Sequence, residues 1–267
     1  MIKLVVSDMD GTLLDGTGYV PKEFYDVYTQ LKDRDIKFAV ASGRQCETLV
    51  NNFSNLKDDI AYIAENGALV RFQDRELYSA TIDKDEVKKI IQVGEKIHGI
   101  NIILCGKDCA YLKPVYGEIL ETVKYYYHSI KFVDDLNSVE DEIIKVAVLD
   151  LKGVEDNSFK IFYPKFGNNL QVKISGEVWM DIFSKYASKG IALRIIQKEL
   201  NITKEETMSF GDYYNDLELF QESYHSYAME NAPEDVKKHA RFRAKSNLDL
   251  GVISVIKEKV LGRNFKA

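Results

Sequence analysis

Apolar residues enter the first part of the chain in short continuous runs separated by amphipathic stretches. Ile2–Val6, Ile36–Ala41 and Ile60–Ala64 are such runs, the pattern of strands buried on both faces. Between the first two, residues 21–31 read as a helix with Pro21 in its first turn, where its missing N–H does no harm. The stretch GRQCETLVNNF after the second reads as another helix. Strand–helix–strand alternation of this kind predicts a parallel sheet covered on both sides.

The middle of the chain has a different pattern. From about Ala80 to Phe183 the strand candidates are INIILC, CAYLK, IIKVAVLDL, NLQVKIS and VWMDIF, with helical stretches over residues 84–97 and 114–127. NLQVKIS and VWMDIF are separated only by Gly176 and Glu177, a hairpin signal. This block predicts an α+β unit on an antiparallel sheet.

After Ser184 the first pattern returns. SKGIALRIIQKELNI is helical, TMSFG a strand, NDLELFQES a helix, YHSYAM a strand and GVISVIKEKVL a closing helix. The chain is therefore expected to form a doubly wound α/β core from residues 1–81 and 185–267, with residues 82–184 inserted as a second, α+β domain.

Composition narrows the class. The 267 residues suffice for a sizeable core, and 45% hydrophobic with 29% charged residues is ordinary for a globular protein. With 42 acids against 36 bases and a formal charge of −6, the balance gives no footprint for nucleic acid. No apolar run reaches the roughly 18 residues of a membrane span, and the N-terminal run stops at Asp8, unlike a signal peptide. A cytoplasmic location is expected. Cys46, Cys105 and Cys109 are too few and too scattered for a disulfide scaffold and lack the histidine or second pair of a zinc site.

What needs explaining is SDMDGTLLD, an apolar strand that ends on Asp8 and Asp10. Unpartnered carboxylates are costly to bury, so they mark an exposed turn or a bound cation. Ligands of open α/β sheets bind at the carboxyl ends of the strands, so the other strand ends are informative. The second ends on Ser42–Gly43–Arg44, and a later one on Gly211–Asp212 with Asn215 and Asp216 close behind; Lys189 opens the helix before it. Converging carboxylates call for a divalent ion, and magnesium accepts a few carboxylates plus a phosphate oxygen. Ser42 and Asn215 can donate hydrogen bonds, Lys189 supplies a point charge, and N–H groups after Gly11 and Gly43 can cradle oxygens. Cation, anion and donors together describe phosphoryl transfer. Asp8, at the strand tip, is the candidate nucleophile. Asp10 is the candidate acid and base. Gly11 permits the turn between them.

SDMDGTLLD, ASGR, SKGIAL and GDYYND resemble the four motifs of the haloacid-dehalogenase superfamily. Their order and spacing are most similar to the Cof-type phosphatases, whose C2B-type α+β cap lies between the second and third motifs. YIAENGA and YAMENAPEDVK resemble further stretches of that subfamily, so the likeness spans nearly the whole chain. It implies Asp8 as nucleophile and Asp10 as acid/base, the latter meeting the metal through its backbone carbonyl. It also implies Asp8, Asp10 and Asp212 as the Mg2+ site, Ser42, Gly43, Lys189 and Asn215 around phosphate, and Asp216 and Arg44 in support. Ser42 stands where threonine is common, Asp181–Ile182 where Glu–Ile is usual, and Tyr213–Tyr214 are bulkier than the subfamily's norm.

Glu65 and Asn66 follow the third strand at the same pole, and Trp179 and Asp181 lie on a hairpin strand; these four are candidate substrate contacts. For Glu65–Asn66 the other reading is a plain turn, and for Trp179 it is core packing. The expected partner is a small phosphorylated metabolite, neither nucleic acid nor a membrane. By resemblance sugar phosphates lead, ahead of pyridoxal phosphate and flavin mononucleotide. The chain is expected to be a monomer or small homo-oligomer. Two rival readings are a phosphomutase, dependent on a bisphosphate activator, and a non-catalytic metabolite-binding module.

Overall fold

The segment LVVSD forms a strand in which all five residues are buried, and it becomes the centre of a sheet. The computed structural model describes residues 1–56, 59–107 and 109–262. Its strands, in chain order, are β1 (Leu4–Asp8), β2 (Lys37–Ala41), β3 (Ile60–Ala64), β4 (Leu69–Phe72), β5 (Arg75–Ser79), β6 (Ile100–Cys105), β7 (Ala110–Leu112), β8 (Ile130–Phe132), β9 (Lys145–Asp150), β10 (Leu170–Gly176), β11 (Trp179–Ser184), β12 (Thr207–Gly211), β13 (His225–Met229) and β14 (Phe242–Ala244). The α-helices are α1 (Glu23–Asp33), α2 (Cys46–Asn52), α3 (Lys84–Gly94), α4 (Glu118–Tyr126), α5 (Ser158–Phe166), α6 (Lys189–Leu200), α7 (Leu217–Gln221), α8 (Glu234–Lys237) and α9 (Gly251–Ile256).

These elements divide into two compact units. One comprises Met1–Gly43, Leu49–Tyr78 and Ser188–Ala267, the other Arg44–Thr48 and Ser79–Ala187.

The first unit holds an eight-stranded sheet in the order β14-β13-β12-β1-β2-β3-β4-β5. From β14 to β3 neighbours are parallel, whereas β4 joins β3 antiparallel, so the parallel sheet read from the sequence carries an antiparallel edge. Leu4, Val6, Ala39, Ala41, Ala61 and Ile63 pack with Ala192, Leu193 and Ile196 of α6 and Leu219 of α7. On α1, Phe24, Val27, Tyr28 and Leu31 are buried, a single helical stripe, and Phe24 meets Phe38 of β2 edge-on at 5.0 Å. Alternate residues of one strand thus face helices on opposite sides.

The second unit is a six-stranded sheet in the order β10-β11-β9-β6-β7-β8. It is antiparallel from β10 to β7 and ends in a parallel pair, β7 with β8. β10 and β11 form the expected hairpin, with a register irregularity between Ile174 and Gly176. One face packs on Ile90 and Ile91 of α3 and Phe162 and Phe166 of α5. The opposite face carries Ile103, Ala147, Leu149 and Trp179 against Val123 and Tyr127.

Candidate active site

Strand register brings the sequence-predicted residues of the first unit together. Asp8 pairs with Ala41, Ser7 with Phe210, and Ala41 with Ile63. The residues one or two past these positions are Ser42, Asp212 and Glu65, so all three lie at the edge where β1 ends. β1 has β12 on one side and β2 on the other, which is the topological switch point where such sheets bind ligands.

Past Asp8 the chain turns through Asp10 (φ −73°, ψ 123°) and Gly11 (φ 73°, ψ 1°), the angles of a type II turn, whose third position needs a positive φ. Space demands glycine as well, because a Cβ on Gly11 would lie 2.3 Å from Oδ2 of Asp212. Asp8 is buried, while Asp10 is exposed beyond it. Thr12 donates from its hydroxyl to Oδ1 of Asp212 at 3.2 Å.

Lys189 arrives from the first turn of α6. Ser188 caps that helix, its Oγ accepting from the Ile191 N–H at 3.1 Å. The Lys189 ammonium is wholly buried and lies 2.6 Å from Oδ1 of Asp8 and 2.7 Å from Oδ1 of Asp216. The other Asp216 oxygen accepts from the backbone N–H groups of Asp212 and Tyr213, at 3.0 and 3.1 Å. A carboxylate so engaged fixes the Gly211–Asp216 loop as well as the lysine.

At the end of β3, Glu65, Asn66 and Gly67 all have positive φ, 49°, 56° and 91°. Consecutive non-glycine residues in the left-handed region store backbone strain, which concentrates at functional sites. The turn has two visible uses. Gly67 abuts the Ser188 carbonyl so closely that a Cβ would sit 2.2 Å from its oxygen, which seats the start of α6. Asn66 accepts from Nδ2 of Asn215 at 2.9 Å, and its amide also lies beside Gly43, 3.1 Å from where a Cβ would be. Ser42 is buried, and its carbonyl accepts from the Asn66 N–H at 2.9 Å.

The electrostatics are those of crowded acids. Burial, followed by repulsion from Asp216 and Asp212, holds the Asp8 carboxyl well above the usual range, with Lys189 opposing. Burial and Asp216 push Asp212 to about 6, against Thr12 and Lys189. Burial disfavours the Lys189 charge, but Asp216 and Asp8 outweigh it and raise it above an ordinary lysine. Oxygens of Asp8, Asp212 and Asp216 lie within 4.8 Å of one another. Three carboxylates against one lysine leave excess negative charge in a buried place, and an all-oxygen set suits a hard divalent cation. This fits magnesium. The acid side chains that converge include Asp216 rather than Asp10.

Arg44, Trp179 and Asp181 belong to the second unit. Trp179 is buried against Tyr126 and Tyr127, ring centroids 5.2 and 6.2 Å away, which is the packing role. Asp181 is buried on the same face of β11. Two residues with contacts in the site had no role in the sequence reading. Thr12 sat inside the first motif, and Asn231 sat inside YAMENAPEDVK; a hydrogen-bonding residue next to a strand end was the available signal for both.

This sheet and this cluster define a phosphoryl-transfer hydrolase. The chain belongs to the haloacid dehalogenase-like hydrolases, whose family model matches residues 5–256, and it is a phosphoric monoester hydrolase. It is 33% identical over 262 residues to the 5-amino-6-(5-phospho-D-ribitylamino)uracil phosphatase of Escherichia coli, covering 97% of this chain and 96% of that one. A crystal structure from Streptococcus mutans UA159 is 30% identical and superposes with a TM-score of 0.86 over 98% of this chain and 100% of that one. A sugar phosphatase of subclass IIB shares the fold at 24% identity, with a TM-score of 0.79 over 96% and 98% of the two chains. No helix among the described residues is long and apolar enough to cross a membrane.

Proposed function

We propose that the protein hydrolyses small phosphate monoesters through an aspartyl-phosphate on Asp8. The supporting observation is the buried bridge of Lys189 between Asp8 and Asp216 beside Asp212. Attack on phosphorus needs an ionised Asp8. The lysine at 2.6 Å favours that form against the burial that opposes it.

In the first step a carboxylate oxygen of Asp8 bonds to phosphorus as the ester P–O bond breaks, and Asp10 gives its proton to the departing alcohol. In the second, water attacks the acyl phosphate, Asp10 takes a proton from it, and the bond to Asp8 breaks to release phosphate. Lys189, Ser42, the Gly43 N–H and Asn215 hold the phosphoryl oxygens. Asp216 fixes Lys189. A magnesium ion, held by Asp8, Asp212 and the Asp10 carbonyl, would neutralise the carboxylates and the phosphoryl group when bound.

For the alcohol we favour a polyhydroxylated chain. One relative acts on a ribityl phosphate and a fold neighbour is named a sugar phosphatase. The second unit, inserted between β5 and α6, is the part we assign to selecting it. The test is phosphate release from a panel of sugar phosphates, ribityl phosphates, flavin mononucleotide and pyridoxal phosphate, with magnesium and with excess chelator. Magnesium-dependent turnover, fastest on the polyol esters, is expected. Equal turnover in chelator would remove the metal from the mechanism, and no turnover on any ester would remove the function.

A further inference from the structure

The loop after β13 sends one side chain back to the turn that follows Asp8. Nδ2 of Asn231 donates to the Gly11 carbonyl at 2.8 Å and to Oδ2 of Asp212 at 3.4 Å. Its Oδ1 accepts from the Asn247 N–H at 3.4 Å, so the amide is held with its nitrogen toward the site. Asn247 in turn donates from Nδ2 to the Leu14 carbonyl at 2.9 Å. Asn231 and Asn247 thus hold the Asp10–Gly11 turn and the segment just after it.

The two oxygens of Asp212 are addressed separately, Oδ1 by Thr12 at 3.2 Å and Oδ2 by Asn231. A carboxylate offers about four lone-pair positions. Two donors, one on each oxygen, orient it and leave lone pairs over for a cation. The turn and the carboxylate are also in near contact, since a Cβ on Gly11 would fall 2.3 Å from Oδ2. Asn231 touches both.

We infer that Asn231 is a positioning residue, whose single amide presets the spacing between the Asp212 carboxylate and the Asp10–Gly11 turn for a divalent cation. The inference rests on the metal site of the proposed function. Outer partners of metal ligands are worth about 10- to 100-fold in metal affinity, and the exposed position of Asn231 means that changing it opens no cavity.

The test is titration of the full-length protein with Mn2+, followed by electron paramagnetic resonance, for the unaltered chain and for Asn231→Leu and Asn231→Ser. The serine variant is too short to reach both acceptors and carries the test if the leucine variant does not fold. The expected result is a Kd raised about 10- to 100-fold in both variants, with the melting temperature of the metal-free protein unchanged. A Kd that stays where it was overturns the inference, whether or not the melting temperature drops, because Asn231 would then serve only the loop. An unaltered protein that takes up no Mn2+ overturns the metal reading itself, and the inference with it.

Discussion

Lys189 and Asp8 form an ion pair of 2.6 Å in which the lysine side chain is wholly buried and the aspartate nearly so. Asp216 makes a second buried pair with the same ammonium. Removing the shared cation leaves two buried carboxylates facing each other, and breaking a buried pair from one side costs about 3–5 kcal/mol. Lys189→Met is expected to lose phosphatase activity and to melt well below the unaltered protein in chelator. Magnesium should restore part of the melting temperature, because it brings positive charge to the same cluster of carboxylates. Thermal melts with and without the ion check this; a melt unchanged by the substitution would contradict the pairing.

The two opening aspartates should fail differently. Asp8→Asn removes the attacking oxygen, so activity and phosphoenzyme should both be absent. Asp10→Asn removes proton transfer, worth about 10² to 10⁴ in rate, and the loss should be larger for sugar phosphates than for p-nitrophenyl phosphate, whose phenolate leaves without a proton. Rates of both variants on both esters, with a search for hydroxylamine-labile phosphate on the protein, separate the roles. A labelled Asp8→Asn protein would be decisive against the nucleophile.

Asp212 sets a pH dependence of the metal-free protein. Its folded value of about 6 stands above the ordinary 3.8, burial being the first cause and Asp216 the second. Ionisation therefore favours the unfolded chain, and the stability present below about pH 4 is lost as pH rises to about 6. A rise of this size is worth about 3 kcal/mol at 1.36 per unit, and about 1–2 after allowance for solvent at this partly exposed group. In chelator, Asp212→Asn should exceed the unaltered protein in stability above pH 6 and match it below pH 4. Urea melts across pH 3.5–8 measure it, and parallel curves would refute the raised value of Asp212.

Gly67 and Gly18 make a matched pair. Both have positive φ, 91° and 82°, but a Cβ on Gly67 would lie 2.2 Å from the Ser188 oxygen, whereas one on Gly18 meets nothing within 4 Å. Alanine at either carries the cost of a left-handed residue, about 1–2 kcal/mol. Gly67→Ala adds a backbone clash that pushes the start of α6, and Lys189 with it. It should lower the melting temperature more than Gly18→Ala and should alone reduce phosphatase activity. Equal effects would mean that the ENG turn does not seat α6.

Much of this was legible in the chain because the signals were local. Ile60–Ala64, Ile100–Cys105 and Thr207–Gly211 appear as strands over the residues that their apolar runs marked. The four motifs were readable because each punctuates a strand or helix end. The Leu69–Ser79 hairpin was not, because its turn places Gln73 and Asp74 at φ 53° and 56°, without the Asn-Gly or Asp-Gly pair that announces such turns. α5 was hidden by Pro164 inside it, since proline reads as a helix breaker. β8 and β14 are three residues long and mostly solvent-facing, too short to show a period. Asn231 and Thr12 escaped because their importance comes from which strands lie side by side, and pairing is not written in any one segment.

The central strand carries a further consequence for how the chain is made. Leu4 of β1 pairs with Thr207 of β12, and Asp8 meets Lys189 and Asp216 from segments made equally late. On a ribosome β1 to β5 emerge long before β12 to β14, with the whole of residues 79–187 made in between. β1, β2 and β3, with their unbroken apolar faces, must wait through the synthesis of the whole insertion. Pairings so distant in sequence close slowly, and waiting apolar strands aggregate. The catalytic pole therefore cannot close until Asp216 has emerged, and the nascent chain is expected to depend on a chaperone until that point.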